Sequence, residues 1–117
     1  MKELGGVQLV FCIQLDGKTL VILGDTLLHE NEWRSIDSPD VLMIPIGDKA
    51  IHNTMDEHEA LRAVKIMNPT LVIPCHYNCP AFFTNKYNPA DDKMFKAEVE
   101  KTGAQCVILH KGESINV

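Results

Sequence analysis

The sequence predicts an α/β fold with a mixed β-sheet, in a single domain over residues 1–117. Three observations predict it: short apolar runs of strand length, a helix-forming segment between two of those runs, and an Asp-Gly hairpin signal near the start. The expected order of elements is β-β-(α)-β-α-β-α-β-β. A chain of 117 residues has the usual size of one domain, and no repeat or low-complexity segment divides it.

The first two strands are predicted to form a hairpin. Residues 7–15 and 19–23 are the apolar runs, and Asp16-Gly17 lies between them. This dipeptide is a strong turn signal, because a type I′ turn needs positive φ at both of its central residues. The polar stretch after Gly24-Asp25-Thr26 predicts only a short helix, which should end before Ser38-Pro39.

The middle of the chain predicts a β-α-β unit. Residues 41–46 and 71–74 are continuous apolar runs, and their lack of alternation indicates strands that are covered on both faces. Thr54-Met55-Asp56-Glu57 matches a capping box, so we expect a helix to begin there. Apolar residues follow at helical spacing until Asn68-Pro69, where the helix should end because the residue before a proline avoids the helical region.

The last third of the chain predicts one more helix and a terminal hairpin. Asn88-Pro89 is a typical helix start, because proline lacks an N–H group that would be unsatisfied at the first helical position. Gly103 is a typical helix end. Residues 106–109 and 114–117 are then expected to pair as strands across the turn at 111–113.

Composition excludes several classes of function. The net charge is −5 and the isoelectric point is near 5.4, so nucleic acid is an unlikely partner for this chain. No apolar stretch approaches the length of a membrane span, and the first residues do not have the pattern of a signal peptide. We therefore expect a cytoplasmic protein that does not contact the membrane.

The four cysteines are Cys12, Cys75, Cys79 and Cys106. We expect them to be reduced, because a chain of this size can fold without disulfides. An alternative is a structural zinc site built from Cys75, Cys79 and their neighbours, since Cys-His-Tyr-Asn-Cys brings three metal-binding side chains into five residues. The spacing differs from the usual C-x₂-C pattern, and no second cysteine pair would complete the site.

Two predicted strand ends carry side chains that can bind a metal. Asp25 follows the second strand, and His76 follows the strand at 71–74. Open α/β sheets form their sites at the carboxyl ends of strands. Each residue alone is more typical of a structural role, Asp25 as a turn or helix-capping aspartate and His76 as a hydrogen-bonded histidine.

Taken together and in order, the strand ends resemble a known family. The segments are Leu-Gly-Asp-Thr, Ile-Pro-Ile-Gly-Asp, Thr-Met-Asp and Val-Ile-Pro-Cys-His-Tyr-Asn. They resemble the C-terminal half of a metallo-β-lactamase-fold hydrolase, in the branch of small metal-dependent hydrolases similar to ascorbate-phosphate lactonase. The resemblance covers residues 6–117 and implies one half of an αββα sandwich. It also implies that Asp25 is the metal-bridging aspartate and His76 the last histidine ligand, both at the catalytic centre.

The same resemblance implies a site rim and a chemistry. The rim residues are Asp48, His52, Asn53, Thr54, Tyr77 and Asn78. The implied activity is hydrolysis of a lactone, ester or phosphodiester by a metal-bound hydroxide, with zinc or manganese as the metal. The family's His-x-His-x-Asp-His motif belongs to the N-terminal half and is missing from this sequence. We therefore expect weak or no metal binding, and no activity, for this chain alone.

Half of a two-sheet sandwich would leave one apolar sheet face uncovered. Such a surface exceeds what soluble monomers tolerate, and sheets pack face to face at about 10 Å. We expect the face to be buried in a homodimer with two-fold symmetry, or against a separate N-terminal half. The alternative to an enzyme is a catalytically silent half-fold that self-associates for binding or assembly.

Overall fold

The computed structural model describes residues 9–47, 54–79 and 88–117. Its strands form one sheet in the order β1-β2-β3-β4-β5. β1 is antiparallel to β2, and the other neighbouring strands are parallel. The elements are β1 Phe11–Leu15, β2 Lys18–Ile22, α1 Glu30–Trp33, β3 Val41–Pro45, α2 Glu57–Met67, β4 Leu71–Cys75, α3 Asp92–Lys101 and β5 Gln105–Cys106. The predicted α/β class with a mixed sheet is confirmed, while the single-domain assignment for residues 1–117 stays a prediction.

The hairpin at the start of the sheet follows the sequence signal. Asp16 and Gly17 both have positive φ, 51° and 77°. Leu15 pairs directly with Lys18, so the turn has two residues. The tight turn sets the register of β1 on β2, and with it the face to which each side chain of β1 points.

The predicted start of α2 is wrong by two residues. Asp56, rather than Thr54, is the N-cap, and it forms a reciprocal capping box with Glu59. The hydroxyl of Thr54 instead donates to the backbone carbonyl of Thr26, at 3.2 Å. A buried long-range hydrogen bond has therefore taken the threonine that the local pattern assigned to the cap. The helix ends as predicted at Asn68, which has a left-handed φ of 50°.

The predicted start of α3 is also wrong. Its N-cap is Asp91, whose side chain accepts from the N–H of Met94, at 3.0 Å. Asn88 lies upstream, where its side-chain oxygen accepts from the N–H of Cys79, at 2.9 Å. Because this contact joins two segments that are distant in sequence, the local pattern around Asn88 could not predict it.

The predicted terminal hairpin forms only its turn. The N–H of Glu113 donates to the carbonyl of His110, at 3.0 Å, but the structure assigns no strand to residues 107–117. Ile115 and Val117 instead lie beside the sheet, where they share the walls of a groove with Ile13. Residues 114–117 therefore form no ladder, and Val117 remains 59% exposed.

One side of the sheet, which we call the helix face, is fully buried. Helices α2 and α3 pack against it, and Phe95 of α3 is completely buried. The helix face comprises Val21, Leu23, Leu42, Ile44, Ile46 and Val72. Buried Glu57 in the first turn of α2 accepts a hydrogen bond from the N–H of Asp91, at 2.8 Å, and so joins the two helix starts. None of the helices in the described part of the chain is long and apolar enough to cross a membrane.

The opposite side, which we call the open face, has no helix on it among the described residues. Register places Phe11, Ile13 and Leu15 of β1 there, because Ile13 pairs with Leu20 and Leu20 pairs with Val41. The three β1 side chains are 54%, 42% and 70% exposed. The rest of the open face comprises Leu20, Val41, Met43, Leu71, Ile73, Val107 and Leu109. The sheet is therefore apolar on both sides and covered by helices on one.

Candidate metal centre

Parallel pairing brings Asp25 and His76 to one edge of the sheet. β2 and β4 both lie beside β3 and run in the same direction, so their carboxyl ends meet at that edge. Asp25 follows β2, and His76 follows β4 directly. Oδ2 of Asp25 lies 3.4 Å from Nε2 of His76. The two side chains selected from the sequence are therefore neighbours, although they are 51 residues apart in the sequence.

The separation of these two atoms fits a shared metal ion. Two ligands at zinc–oxygen and zinc–nitrogen distances, placed at a tetrahedral angle, lie about 3.3 Å apart. The Asp25 side chain is 61% exposed and that of His76 is 28% exposed, so solvent reaches both. A carboxylate oxygen and an imidazole nitrogen are ligands that zinc and manganese accept. The donor set of these two residues is therefore chemically suited to a divalent metal.

The second ring nitrogen of His76 is in a different environment. Nδ1 is buried and has no hydrogen-bond partner among the described residues. A metal-binding histidine usually donates this second N–H to a carboxylate or carbonyl, which fixes the ring and its tautomer. The described part of the chain thus supplies the ligand atom of His76 without the partner that would orient it.

Gly47, which follows β3, allows the backbones of His76 and Asn88 to approach it closely. A β-carbon at this position would lie 2.7 Å from the carbonyl oxygen of Asn88 and closer still to that of His76. No side chain fits there without moving the backbone that carries His76. His76 itself has a left-handed φ of 54°, a conformation that requires support from its surroundings.

Asn78 provides part of that support. Its backbone N–H donates to the carbonyl of Asn88, at 2.7 Å. Its side chain also binds Ala90 twice, accepting from the N–H at 3.2 Å and donating to the carbonyl at 3.1 Å. Asn78 and Asn88 therefore join the chain after β4 to the segment before α3. We call this set of bonds the asparagine clamp.

The predicted rim residues are in several different environments. Thr54 is completely buried, and its bond to the carbonyl of Thr26 ties the segment before α2 to the residue after Asp25. The hydroxyl of Tyr77 donates to Asp92, at 3.4 Å. Burial, followed by the charge of Asp92, raises the pKa of Tyr77 to about 12, so its hydroxyl stays protonated at neutral pH. Asp48, His52 and Asn53 lie outside the described residues.

The cysteine-based zinc site is wrong for the described residues. Over residues 9–47, 54–79 and 88–117, no group of three or more His, Cys, Asp or Glu side chains could hold a metal. All four cysteines are free, as predicted. Burial, and then the negative charge of Asp25, raise the pKa of Cys75 to about 11. Cys75 is therefore a neutral thiol at neutral pH.

Sequence reasoning missed the residues that position the pair. Gly47, Asn88 and the carbonyl of Thr26 all act through contacts between segments that are distant in sequence. Gly47 had a usable signal, because a glycine directly after a buried strand often marks a close approach of another backbone. Asn88 before Pro89 carried a stronger local signal for a helix start, and that signal was misleading.

Comparison with known proteins identifies the family of the chain. The family model for the β-lactamase superfamily domain matches residues 2–76. A UPF0173 metal-dependent hydrolase of Pelotomaculum thermopropionicum is 40% identical over 110 residues, which are 92% of this chain and 45% of that protein. Another from Natranaerobius thermophilus is 33% identical over 116 residues, 97% of this chain and 49% of that protein. The chain thus spans about half the length of these relatives.

Solved structures show the same fold. Igni18, described as a novel metallo hydrolase from Ignicoccus hospitalis, superimposes with a TM-score of 0.74 and 36% identity. The match covers 89% of this chain and 43% of Igni18. An isothiocyanate hydrolase from Delia radicum gut bacteria is 19% identical, with a TM-score of 0.62, and supports the fold alone. On this evidence the chain belongs to the β-lactamase superfamily and has part of the metallo-β-lactamase fold.

Proposed function

We propose that this chain supplies two ligands, Asp25 and His76, to the divalent-metal centre of a hydrolase. The observation that carries the proposal is the distance of 3.4 Å between Oδ2 of Asp25 and Nε2 of His76, at the carboxyl ends of parallel strands. The relatives that span about twice its length are named metal-dependent hydrolases. Hydrolysis of a lactone, ester or phosphodiester is the proposed class of reaction.

In this proposal the chain holds and orients the metal-binding atoms. A divalent metal, when bound, supplies positive charge that activates water and stabilises negative charge on the substrate oxygen. The asparagine clamp holds the chain that follows His76. The absence of a side chain at Gly47 leaves room for the carbonyl group of His76. Zinc is the proposed metal, with manganese as the alternative.

The remaining ligands are proposed to come from a second sheet that covers the open face. Zinc needs three or four protein ligands, and the described residues bring two together. The open face reaches the metal-binding edge, because Pro45 pairs with Cys75 there, next to His76. A polypeptide with an apolar sheet and metal ligands at its edge would complete the core and the centre together. The greater length of the relatives supports such a half, either in the same chain or as a separate one.

Calorimetric titration with Zn²⁺, performed on the complex of this chain with the N-terminal half of the Pelotomaculum relative, tests the contribution of the two ligands. Asp25→Ala and His76→Ala should each lower the affinity at least about tenfold, since each removes one of two ligands. His58→Ala is the matched control, because His58 is exposed on α2, and it should leave the affinity unchanged. Equal affinities for all three variants would contradict the proposal.

A complementation experiment tests the hydrolase as a whole. The chain is mixed with the N-terminal half of the Pelotomaculum relative, and p-nitrophenyl acetate, γ-butyrolactone and bis(p-nitrophenyl) phosphate are assayed in the presence of Zn²⁺. We expect a complex that hydrolyses at least one of these probes and loses that activity with Asp25→Ala. A stable complex that neither retains zinc nor hydrolyses any probe would instead support the catalytically silent assembly module.

A further inference from the structure

The backbone hydrogen bonds of the sheet end before they reach either of the two proposed ligands. Among the described residues, the last bond between β2 and β3 is donated by the N–H of Leu23, at 3.2 Å. The last bond between β3 and β4 runs from the N–H of Ile46 to the carbonyl of Cys75, also at 3.2 Å. Asp25 and His76 lie beyond these bonds. Contacts outside the sheet must therefore hold the two segments that carry them.

One such contact holds the segment that carries Asp25. The hydroxyl of Thr54 donates to the carbonyl of Thr26, at 3.2 Å, and both residues are buried. Thr26 follows Asp25 directly, and Thr54 lies three residues before Glu57, the first residue of α2. The Asp25 segment is therefore tied to the start of α2.

Glu57 ties the start of α2 to the start of α3. Its side chain is completely buried, and its Oε1 accepts from the N–H of Asp91, at 2.8 Å. Burying a carboxylate is costly unless hydrogen bonds replace its hydration. The capping box of α2 uses Asp56 and Glu59, so capping does not explain why Glu57 is buried. Its bond to α3 gives the buried carboxylate a role between the two helices.

The asparagine clamp continues from the start of α3 to His76. Ala90 precedes Asp91 directly, and the side chain of Asn78 binds Ala90 twice, at 3.2 and 3.1 Å. Asn78 follows His76 by two residues. Side-chain hydrogen bonds thus run from the residue after Asp25, through the starts of α2 and α3, to the segment of His76. We call this set of bonds the Glu57 connection.

We infer that Glu57 is a positioning residue for the metal centre, and that the Glu57 connection keeps Asp25 and His76 at a separation at which both bind one metal ion. The inference rests on the hydrolase function proposed above and adds to it a residue that is not itself a ligand. A metal site needs its ligands held within about 0.5 Å of the productive geometry. Loss of the connection frees two segments that the sheet does not hold, so the affinity for metal falls.

Amide hydrogen exchange on the metal-free chain tests the Glu57 connection without metal. Glu57→Met removes the acceptor oxygens and keeps a side chain of similar length, whereas Glu57→Gln keeps one acceptor oxygen. Relative to the amides of β3, exchange at the N–H of Asn78 should become at least about fivefold faster in Glu57→Met and stay unchanged in Glu57→Gln. Val99→Ala is the matched control, because Val99 is completely buried on α3 outside the connection. It should lower stability without speeding exchange at Asn78 relative to β3.

Zinc titration of the complex with the N-terminal half of the Pelotomaculum relative tests the effect on the metal centre. Glu57→Met and Asn78→Gly should each weaken zinc binding about fivefold. Glycine accepts the left-handed φ of 48° at Asn78, so this variant removes only the side-chain bonds. Asn68→Gly is its matched control, because Asn68 also has a left-handed φ, of 50°, and ends α2; it should leave zinc affinity unchanged. The double variant should lose less than the additive value of about 25-fold, because both changes interrupt one connection.

Two outcomes would overturn the inference. The first is exchange at Asn78 that responds no differently to Glu57→Met than to Glu57→Gln. The second is a loss of zinc affinity in Val99→Ala as large as that in Glu57→Met, which would reduce the effect to general destabilisation. Either outcome leaves the proposed function intact if Asp25→Ala still abolishes zinc binding. Faster exchange at Asn78 in Glu57→Met, with no zinc bound by the wild-type complex, would support the connection and contradict the metal centre.

Discussion

The two faces of the sheet have similar side chains and different surroundings. Val21, Leu42 and Ile44 on the helix face are completely buried under α2 and α3. Phe11, Ile13 and Leu15 on the open face are as apolar and are between 42% and 70% exposed. Only the first group contributes its full hydrophobic free energy to the folded chain, because that free energy depends on the area removed from water.

This difference shows that the apolar sequence of a strand does not by itself determine how many of its faces are covered. β3 and β4 have the continuous apolar sequence of strands that are covered twice. The described residues cover them with helices once. The open face therefore has the apolar composition of a covered face, and the edge that carries Asp25 and His76 lies at the carboxyl end of the same strands.

The strongest contrast between the faces is expected for two phenylalanines. Phe95→Ala should destabilise the chain by about 3–5 kcal/mol, because Phe95 is completely buried and its removal leaves a cavity. Phe11→Ala, at a residue that is 54% exposed, should cost less than about 1 kcal/mol. Urea unfolding followed by circular dichroism measures both. Measured on the dilute, monomeric chain, equal losses of stability would contradict the contrast between the two faces.

The next largest effect is expected on association. Purified without a covering half, the chain should form a homodimer at micromolar concentration, because the open face is apolar and exposed. Ile13→Lys should weaken this dimer by about a hundredfold, since it places a charge in the buried interface. Sedimentation velocity measures the dissociation constant.

The neighbouring residue supplies a matched control. Gln14 lies on the same strand and points to the other side of the sheet, so Gln14→Lys should leave the dimer intact. A wild-type chain that remains monomeric at micromolar concentration would refute the homodimer, and a dimer broken equally by both variants would place the interface at the edge of β1.

Local signals in the sequence predicted most of the fold. The apolar runs located β2, β3 and β4, and the Asp16-Gly17 turn gave the hairpin and its register. The helix starts failed, because Thr54 and Asn88 bind partners 28 and 9 residues away in place of their own helices. The terminal hairpin failed because only its turn forms, and residues 111–117 are exposed. Competition by contacts outside the local segment therefore explains the errors at the helix starts.

The candidate site was predicted in the same uneven way. Asp25 and His76 could be selected from the sequence because each follows a predicted strand. Parallel strands bring their carboxyl ends to the same edge of a sheet. The support of His76 could not be predicted, since Gly47 and Asn78 act through contacts with another segment of the chain. Asp48, His52 and Asn53 lie outside the described residues, so their predicted place at the rim stays a prediction.

Gly47 offers a test at the edge where the two faces meet. Gly47→Ala should destabilise the chain by about 1–3 kcal/mol, because the new methyl group would overlap the carbonyl oxygens of His76 and Asn88. It should also weaken zinc binding, since the backbone that must move carries His76. Gly17→Ala is the control for stability, because a β-carbon there meets no atom within 4 Å but the position has a φ of 77°. The backbone strain of an alanine at position 17 should lower the stability of the chain and leave its zinc affinity unchanged.

The smallest expected effect is a dependence of stability on alkaline pH that distinguishes the buried core from the exposed strand. Burial raises the pKa of Cys106, which is 2% exposed, from its ordinary value of 9.0 to about 11. Between these values the unfolded chain releases the thiol proton and the folded chain retains it, so the free energy of unfolding falls as pH rises. The slope from one cysteine is at most about 1.4 kcal/mol per pH unit. Urea unfolding at pH 8, 9 and 10 should give a shallower slope for Cys106→Ala than for wild type, whereas Cys12→Ala on exposed β1 should retain the wild-type slope. An unchanged slope in Cys106→Ala would show that water reaches this position on the helix face. The contrast between the two faces would then be weaker than the burial of the helix-face side chains indicates.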